Sequence, residues 1–286
     1  MKNDSTGLNV YFVNEDKVKP MNTESYILGV VMAEMPASFE LEALKAQSVA
    51  ARTYLYEKLF SKATNPEHKG GDICTDPSHC QAYISVEEAK EKWGKNASFY
   101  FRKCKKAVEA TRGIVAQYEN KPIKAVFHAY ASGKTENAKD VWGSDVAYLK
   151  SVDSPGDKSA PEFLGTCTIE ISEFKRIATE KFGCDFKNGL IGEVKYTPGG
   201  SVDVIQIGDK LVKGTKIREA FSLKSACFKI NNDGDSLIFE VKGYGHGVGM
   251  SQYGANHCAK AGMTYDEILK KYYTGIELKK MNFKQE

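Results

Sequence analysis

Residues 40–60 read Glu40-Leu41-Glu42-Ala43-Leu44-Lys45-Ala46-Gln47-Ser48-Val49-Ala50-Ala51-Arg52-Thr53-Tyr54-Leu55-Tyr56-Glu57-Lys58-Leu59-Phe60. Leu41, Leu44, Ser48, Ala51, Leu55 and Leu59 recur at the three- and four-residue spacing of one helix face. The run therefore predicts a helix with one stripe turned to a core. Glu40 and Glu42 fall in its first turn and Lys58 near its end, where the helix dipole favours each charge.

On the N-terminal side, Ser25 precedes the apolar run Tyr26–Ala33, which meets Glu34-Met35-Pro36. Serine caps helices well and proline disfavours helix at the residue before it, so a short buried helix is expected to end near Ala33–Met35. Before it, one short strand and a linker end at Lys19-Pro20. On the C-terminal side, Ser61–Tyr83 dissolves into Asn, Pro, Gly, Cys and His, the composition of a long loop. Helical patterns over Val86–Phe101 and Lys103–Thr111 stop at Gly113, and Ile114–Tyr118 with Lys124–Tyr130 reads as a hairpin around Glu119-Asn120-Lys121-Pro122.

From residue 151 to about 240 short strand-like runs, Val202–Ile207 and Leu237–Val241, surround one helix candidate, Ser172–Phe182. A glycine-rich loop, Gly243–Gly249, then leads into helical Ser251–Ala261 and Tyr265–Tyr272. The expected class is α+β: a helix-rich catalytic body from residues 1–150 plus 241–286, with a smaller strand-rich α+β unit, 151–240, inserted into it.

Composition narrows the function. The 286 residues are 42% hydrophobic and 27% charged, ordinary for a chain with a real core, and the length suggests about two domains. A net charge of +3 gives no basis for nucleic-acid binding. No stretch reaches the roughly 18 apolar residues that span a bilayer, so the chain reads as soluble. Its polar start, Met1-Lys2-Asn3-Asp4-Ser5, carries no targeting segment, which fits either a cytosolic chain or one trimmed of its leader.

Three groups of residues could carry chemistry. The first is His68, Cys74, His79 and Cys80, four of only seven cysteines and five histidines. A thirteen-residue window would hold about half a candidate ligand at random. Two imidazoles and two thiolates suit one tetrahedral zinc and leave no open position, which makes such an ion structural. A Cys74–Cys80 disulfide, or two plain thiols, is the alternative. The second is Glu34, whose apolar flank and helix-end position both raise a carboxyl pKa, as a general acid near neutral pH requires. A merely solvated helix-end glutamate is the bland alternative. The third is Gly243-Tyr244-Gly245-His246-Gly247-Val248-Gly249-Met250-Ser251-Gln252-Tyr253-Gly254. It lacks the Lys-Ser/Thr of a phosphate loop, and its hydroxyl, amide and aromatic groups suit a sugar, unless its glycines only make turns. Ser132, His128 and Asp140 are close in sequence but lack a nucleophile elbow, so a serine hydrolase is disfavoured.

Glu34-Met35-Pro36 followed by Glu42–Tyr54 resembles the signature of the stage II sporulation protein D family. Two further segments in the same order strengthen the resemblance: Ser132-Gly133-Lys134-Thr135 leading to Val141-Trp142, and Gly245–Ala255. It is strong over residues 24–150 and 243–275 and weak between them. The zinc cluster is not demanded by the general family pattern, and Lys134 stands where many relatives have a second glycine.

The resemblance implies a peptidoglycan lytic transglycosylase that acts during sporulation engulfment on glycan strands lacking stem peptides, leaving 1,6-anhydromuramoyl ends. Glu34 would be its acid/base. Lys45, Gln47, Arg52, Ser132, Tyr244, His246, Ser251, Gln252 and Tyr253 would bind or orient the sugar. It also implies an extracytoplasmic protein held by an N-terminal anchor outside this sequence, a partner amidase that removes stem peptides, and a recruiting membrane protein. Two other readings remain: a zinc-dependent cell-wall amidase or peptidase, and a non-catalytic wall-binding scaffold.

Overall fold

The computed structural model describes residues 7–61 and 65–281; the polar start Met1–Ser5 and positions 62–64 of the expected loop lie outside them. The fold is mixed α+β, and the chain divides into two compact units, Met1–Val126 with Cys258–Glu286, and Phe127–His257. The boundaries read from the sequence lay at 150 and 240. Segments 127–150 and 241–257 fall in the second unit with the strand-rich stretch: the bridges Tyr130–Tyr244 and Glu136–Val248 join these two segments to each other, and Lys134–Asp153 ties the first of them to that stretch.

The first unit opens with a hairpin, β1 (Gly7–Phe12) and β2 (Lys17–Asn22), where one strand and a linker were expected. Helix α1 (Thr23–Glu34) follows directly. Its cap is Asn22 rather than Ser25: the Asn22 side-chain oxygen accepts from the N–H groups of Glu24 and Ser25. Helix α2 (Leu41–Ser61) matches its expectation in extent but not in exposure. All residues from Ala43 to Tyr56 except Lys45 are buried, so it is wrapped on every side instead of presenting one stripe. Its alanines and serine let neighbours approach closely, and a helix apolar all round belongs in a core.

Strand β3 (Ile73–Cys74) runs parallel to β1 inside the expected loop. Helices α3 (Val86–Trp93) and α4 (Ala97–Ala110) break at Gly94–Asn96, earlier than the pattern suggested. Gly94 makes the break with φ +51°, ψ −122°, a backbone shape open to glycine. Strand β4 (Ile114–Tyr118) pairs with the two-residue β5 (Lys121–Pro122). The second arm expected over Lys124–Tyr130 does not form, because Phe127–His128, strand β6, pairs elsewhere.

In the second unit, α5 (Ala138–Trp142) follows β6, and β7 (Leu164–Glu170) leads into α6 (Ile171–Phe182). Strands β8 (Ile191–Tyr196), β9 (Val202–Ile207) and β10 (Lys210–Lys213) make one antiparallel sheet. After α7 (Gly214–Ala220), β11 (Phe228–Asp233) and β12 (Ser236–Lys242) join β7 in another. Along β12, Leu237, Phe239 and Val241 alternate inward, and Phe239 packs with Phe174 and Phe221 in the core. Strand β13 (Met250–Ser251) pairs parallel to β6, and α8 (Gln252–Lys260) begins there. The chain returns to the first unit at Cys258, inside α8, and continues through α9 (Tyr265–Tyr272), a helix as expected, to β14 (Glu277–Lys280), which completes the β4 sheet. No helix of the described residues is long and apolar enough to cross a membrane.

Candidate functional site

Glu34 is the last residue of α1. Its Oε1 accepts a 2.7 Å hydrogen bond from the backbone N–H of Ala82. That donor reaches it because residues 83–84 cross α1 at Gly29, where a β-carbon would lie 2.1 Å from the Tyr83 ring and 2.9 Å from the Ile84 carbonyl. Tyr83 stacks on Tyr26 one turn earlier, fixing the crossing. Burial pushes the Glu34 carboxyl above the usual range, and the Ala82 N–H opposes that only in part. Glu34 lines a cleft of about 330 Å³ with Met32, Met35, Lys92, Trp93 and Tyr100, and it is the single carboxylate among the described residues of that lining.

The sequence reading missed the far wall of this cleft. Lys92 and Trp93 end α3, and Tyr100 begins the second turn of α4. The signal available was Trp93 followed by Gly94, an aromatic at a forced helix break.

The four expected metal ligands come together, with one donor atom from each lying within 4.8 Å of all the others. His68 Nε2 is 3.2 Å from both His79 Nδ1 and Cys80 Sγ, and Cys74 Sγ is 3.4 Å from His79 Nδ1. Edges of a tetrahedral zinc shell with thiolate and imidazole ligands are roughly 3.3–3.8 Å, so the donor set fits one ion. His79 Nε2 lies 2.6 Å from the Asn65 side-chain amide and 3.3 Å from the Glu67 carboxylate, polar neighbours that orient the ring with Nδ1 toward the thiols. Both cysteines are free rather than joined in a disulfide. The hydrogen bond between the two thiols pulls the Cys74 pKa down and pushes that of Cys80 up, so the pair shares one proton that a metal ion would displace.

In the second unit the glycine-rich loop takes its shape from Gly243, Gly245, Gly247 and Gly249, all at positive φ. A β-carbon on Gly245 would also come within 2.7 Å of His128 Cβ. Tyr244 is 49% exposed, and His246 is half-buried with its ring 5.1 Å from Trp142 and 5.6 Å from His128. Tyr253 meets Tyr130 edge to face. Ser251 and Gln252 are buried; the Ser251 hydroxyl donates to Asp157, a buried carboxylate the sequence reading passed over. Ser132 donates to the Gly199 carbonyl at 3.0 Å, while His128 Nδ1 bonds the Val248 carbonyl and Asp140 accepts from Asn137. These three residues make no catalytic relay with one another.

On α2, Lys45 pairs with Glu42 at 2.6 Å and lies over the Tyr265 ring. Gln47 and Arg52 are fully buried. Arg52 grips Glu24 and bonds the Ile114 carbonyl at 3.2 Å, so what it touches is the frame rather than a cleft.

Comparison with known proteins sets this α+β chain among sporulation proteins. A family model described as Stage II sporulation protein matches residues 12–118, the part holding Glu34 and the metal cluster. The chain is 38% identical to Stage II sporulation protein D of Bacillus amyloliquefaciens, over 97% of its own length and 80% of that protein. It is 39% identical to Stage II sporulation protein D of Bacillus subtilis (strain 168), over the same shares of each. It is also 30% identical to the Amidase enhancer of Bacillus subtilis, over 87% of this chain and 40% of that one. The chain belongs to the stage II sporulation protein D family.

Proposed function

We propose that this protein is a peptidoglycan lytic transglycosylase acting on glycan strands that lack stem peptides, with Glu34 as its single acid/base. The observation that carries this reading is a lone carboxyl, pushed up by burial and steadied by one backbone N–H, in a cleft of sugar-accepting size. Most glycosidases need two carboxylates to manage water or a nucleophile. One suffices when the substrate supplies its own nucleophile. Protonated Glu34 gives its proton to the bridging oxygen as the anomeric C–O bond breaks. The resulting carboxylate takes the proton of the C6 hydroxyl as O6 bonds to the anomeric carbon, closing the 1,6-anhydro ring and restoring the acid.

His68, Cys74, His79 and Cys80 would hold one zinc ion, whose contribution is to fix the loop. Four protein donors leave it no position for water, which weighs against a zinc amidase or peptidase. Ser132, Tyr244, His246 and Tyr253 offer hydroxyl, imidazole and aromatic groups for a glycan on the second unit. The same reading makes the protein extracytoplasmic, anchored at the membrane during engulfment. It would work after an amidase that strips stem peptides and beside a membrane protein that recruits it. Digestion of denuded strands followed by mass spectrometry tests this: anhydromuramoyl products are expected from the protein and none from Glu34→Gln. Glycan binding without product would make it a scaffold instead.

A further inference from the structure

Trp93 closes α3, and the turn at Gly94–Asn96 folds α4 back so that Tyr100 meets Trp93 edge to face, with ring centroids 5.8 Å apart at 70°. Lys103, one turn beyond Tyr100, donates to the Ser38 carbonyl at 3.2 Å and ties this hairpin to the segment after Glu34. The wall is therefore held in place, yet both rings stay only partly buried and line the Glu34 cleft. Aromatic rings that served the core alone would be covered. Beside them Lys92 lines the same cleft, exposed and in no ion pair among the described residues. The other ionisable carboxyl or amine of that lining, Glu34, is uncharged when it acts as an acid. The cleft thus offers an apolar stacking surface next to an unmatched positive charge.

A pyranose presents an apolar C–H face to an aromatic ring. A muramoyl residue adds a lactyl group, which ends in a free carboxylate once its stem peptide has been removed and in a neutral amide before that. We propose that Trp93 and Tyr100 stack the muramoyl ring and that Lys92 pairs with its free lactyl carboxylate, so that this wall recognises strands already stripped of peptide. The inference rests on the transglycosylase reading of the same cleft and assigns its selectivity to residues 92, 93 and 100.

Calorimetric titration in the Glu34→Gln background, where the ligand survives, tests it. Two tetrasaccharides of alternating N-acetylglucosamine and N-acetylmuramic acid are compared, one with free lactyl carboxylates and one with lactyl amides. The free acid is expected to bind at least five-fold tighter than the amide. Lys92→Gln is expected to bring that ratio toward one, and Lys92→Arg to preserve it. Trp93→Ala is expected to weaken both ligands ten-fold or more and Trp93→Phe to recover most of the loss, with melting curves recorded for each variant. Equal affinity for the two ligands, or a ratio that Lys92→Gln leaves unmoved, overturns the proposal. If the unsubstituted protein cleaves denuded strands while Lys92→Gln and Trp93→Ala behave like it, the subsite falls and the acid/base reading stands. If it cleaves no glycan at all, that reading falls and takes this proposal with it.

Discussion

Arg52 holds Glu24 with two nitrogens, Nη2 at 2.6 Å from Oε2 and Nε at 2.8 Å from Oε1. The guanidinium is fully buried, so this fork joins the start of α1 to the middle of α2. Removing one member of a buried pair strands the other charge, at a cost of about 3–5 kcal/mol. Arg52→Met and Glu24→Gln should each destabilise by about that much in urea, and the double variant should recover a large part. Arg52→Lys should behave as a loss, since an ammonium cannot make the fork. Activity per folded molecule should change far less than stability, and chemical denaturation run beside a turnover assay separates the two.

Glu34 must be protonated to begin the proposed reaction, so turnover should fall as pH rises through its pKa. Burial raises that pKa, which moves the alkaline limb above the range of an exposed glutamate, about 4.3. A profile of kcat/KM against pH checks the position of the limb. Glu34→Gln should release no detectable product at any pH, a loss beyond about 10²–10⁴-fold in kcat. A variant that keeps the limb would mean another group supplies the proton.

Local pattern reached far into this fold but stopped where partners are distant in sequence. The apolar period of α2 and the Thr264-capped α9 were legible because each depends on its own residues. The pairing of β6 with β13 was not, since Phe127 and Met250 are brought together only by the tertiary fold. The four metal ligands could be read because they crowd thirteen positions, whereas the Ala82 donor to Glu34 could not, being a bare backbone N–H. Arg52 shows the converse: a cation on a helix gives no sign in sequence of whether it faces a cleft or a buried carboxylate.

Cys80 precedes Ala82 by two residues, so the metal loop and the Glu34 donor share one short piece of backbone. Elemental analysis of the protein purified without chelator should find one zinc per chain, and Cys80→Ser should lower that content. Stripping the metal should lower the melting temperature, and partial loss of turnover should follow as Ala82 loses its fixed position. An apoprotein that melts as before but is inert would instead give the metal a direct part in the chemistry.

Asp157 is fully buried and accepts hydrogen bonds from Ser251 and from the Ala131 N–H at 3.0 Å, yet burial outweighs these and raises its pKa to about 6. The folded chain therefore holds this proton more tightly than the unfolded one, whose aspartate titrates near about 3.9. Stability from Asp157 is complete below that lower value and is lost as pH rises through about 6, on the order of 3 kcal/mol in all. His128, kept neutral by burial with its pKa pushed down to about 3, acts with the opposite sign over much of the same range. The single substitution, rather than the net slope, is therefore the test. Asp157→Asn keeps a donor and an acceptor in place and cannot ionise, so its stability relative to the parent should rise from pH 4 to about pH 6 and level off above it. Melting curves across that range check it, and a difference that stays flat would mean the carboxylate is ionised in the fold throughout.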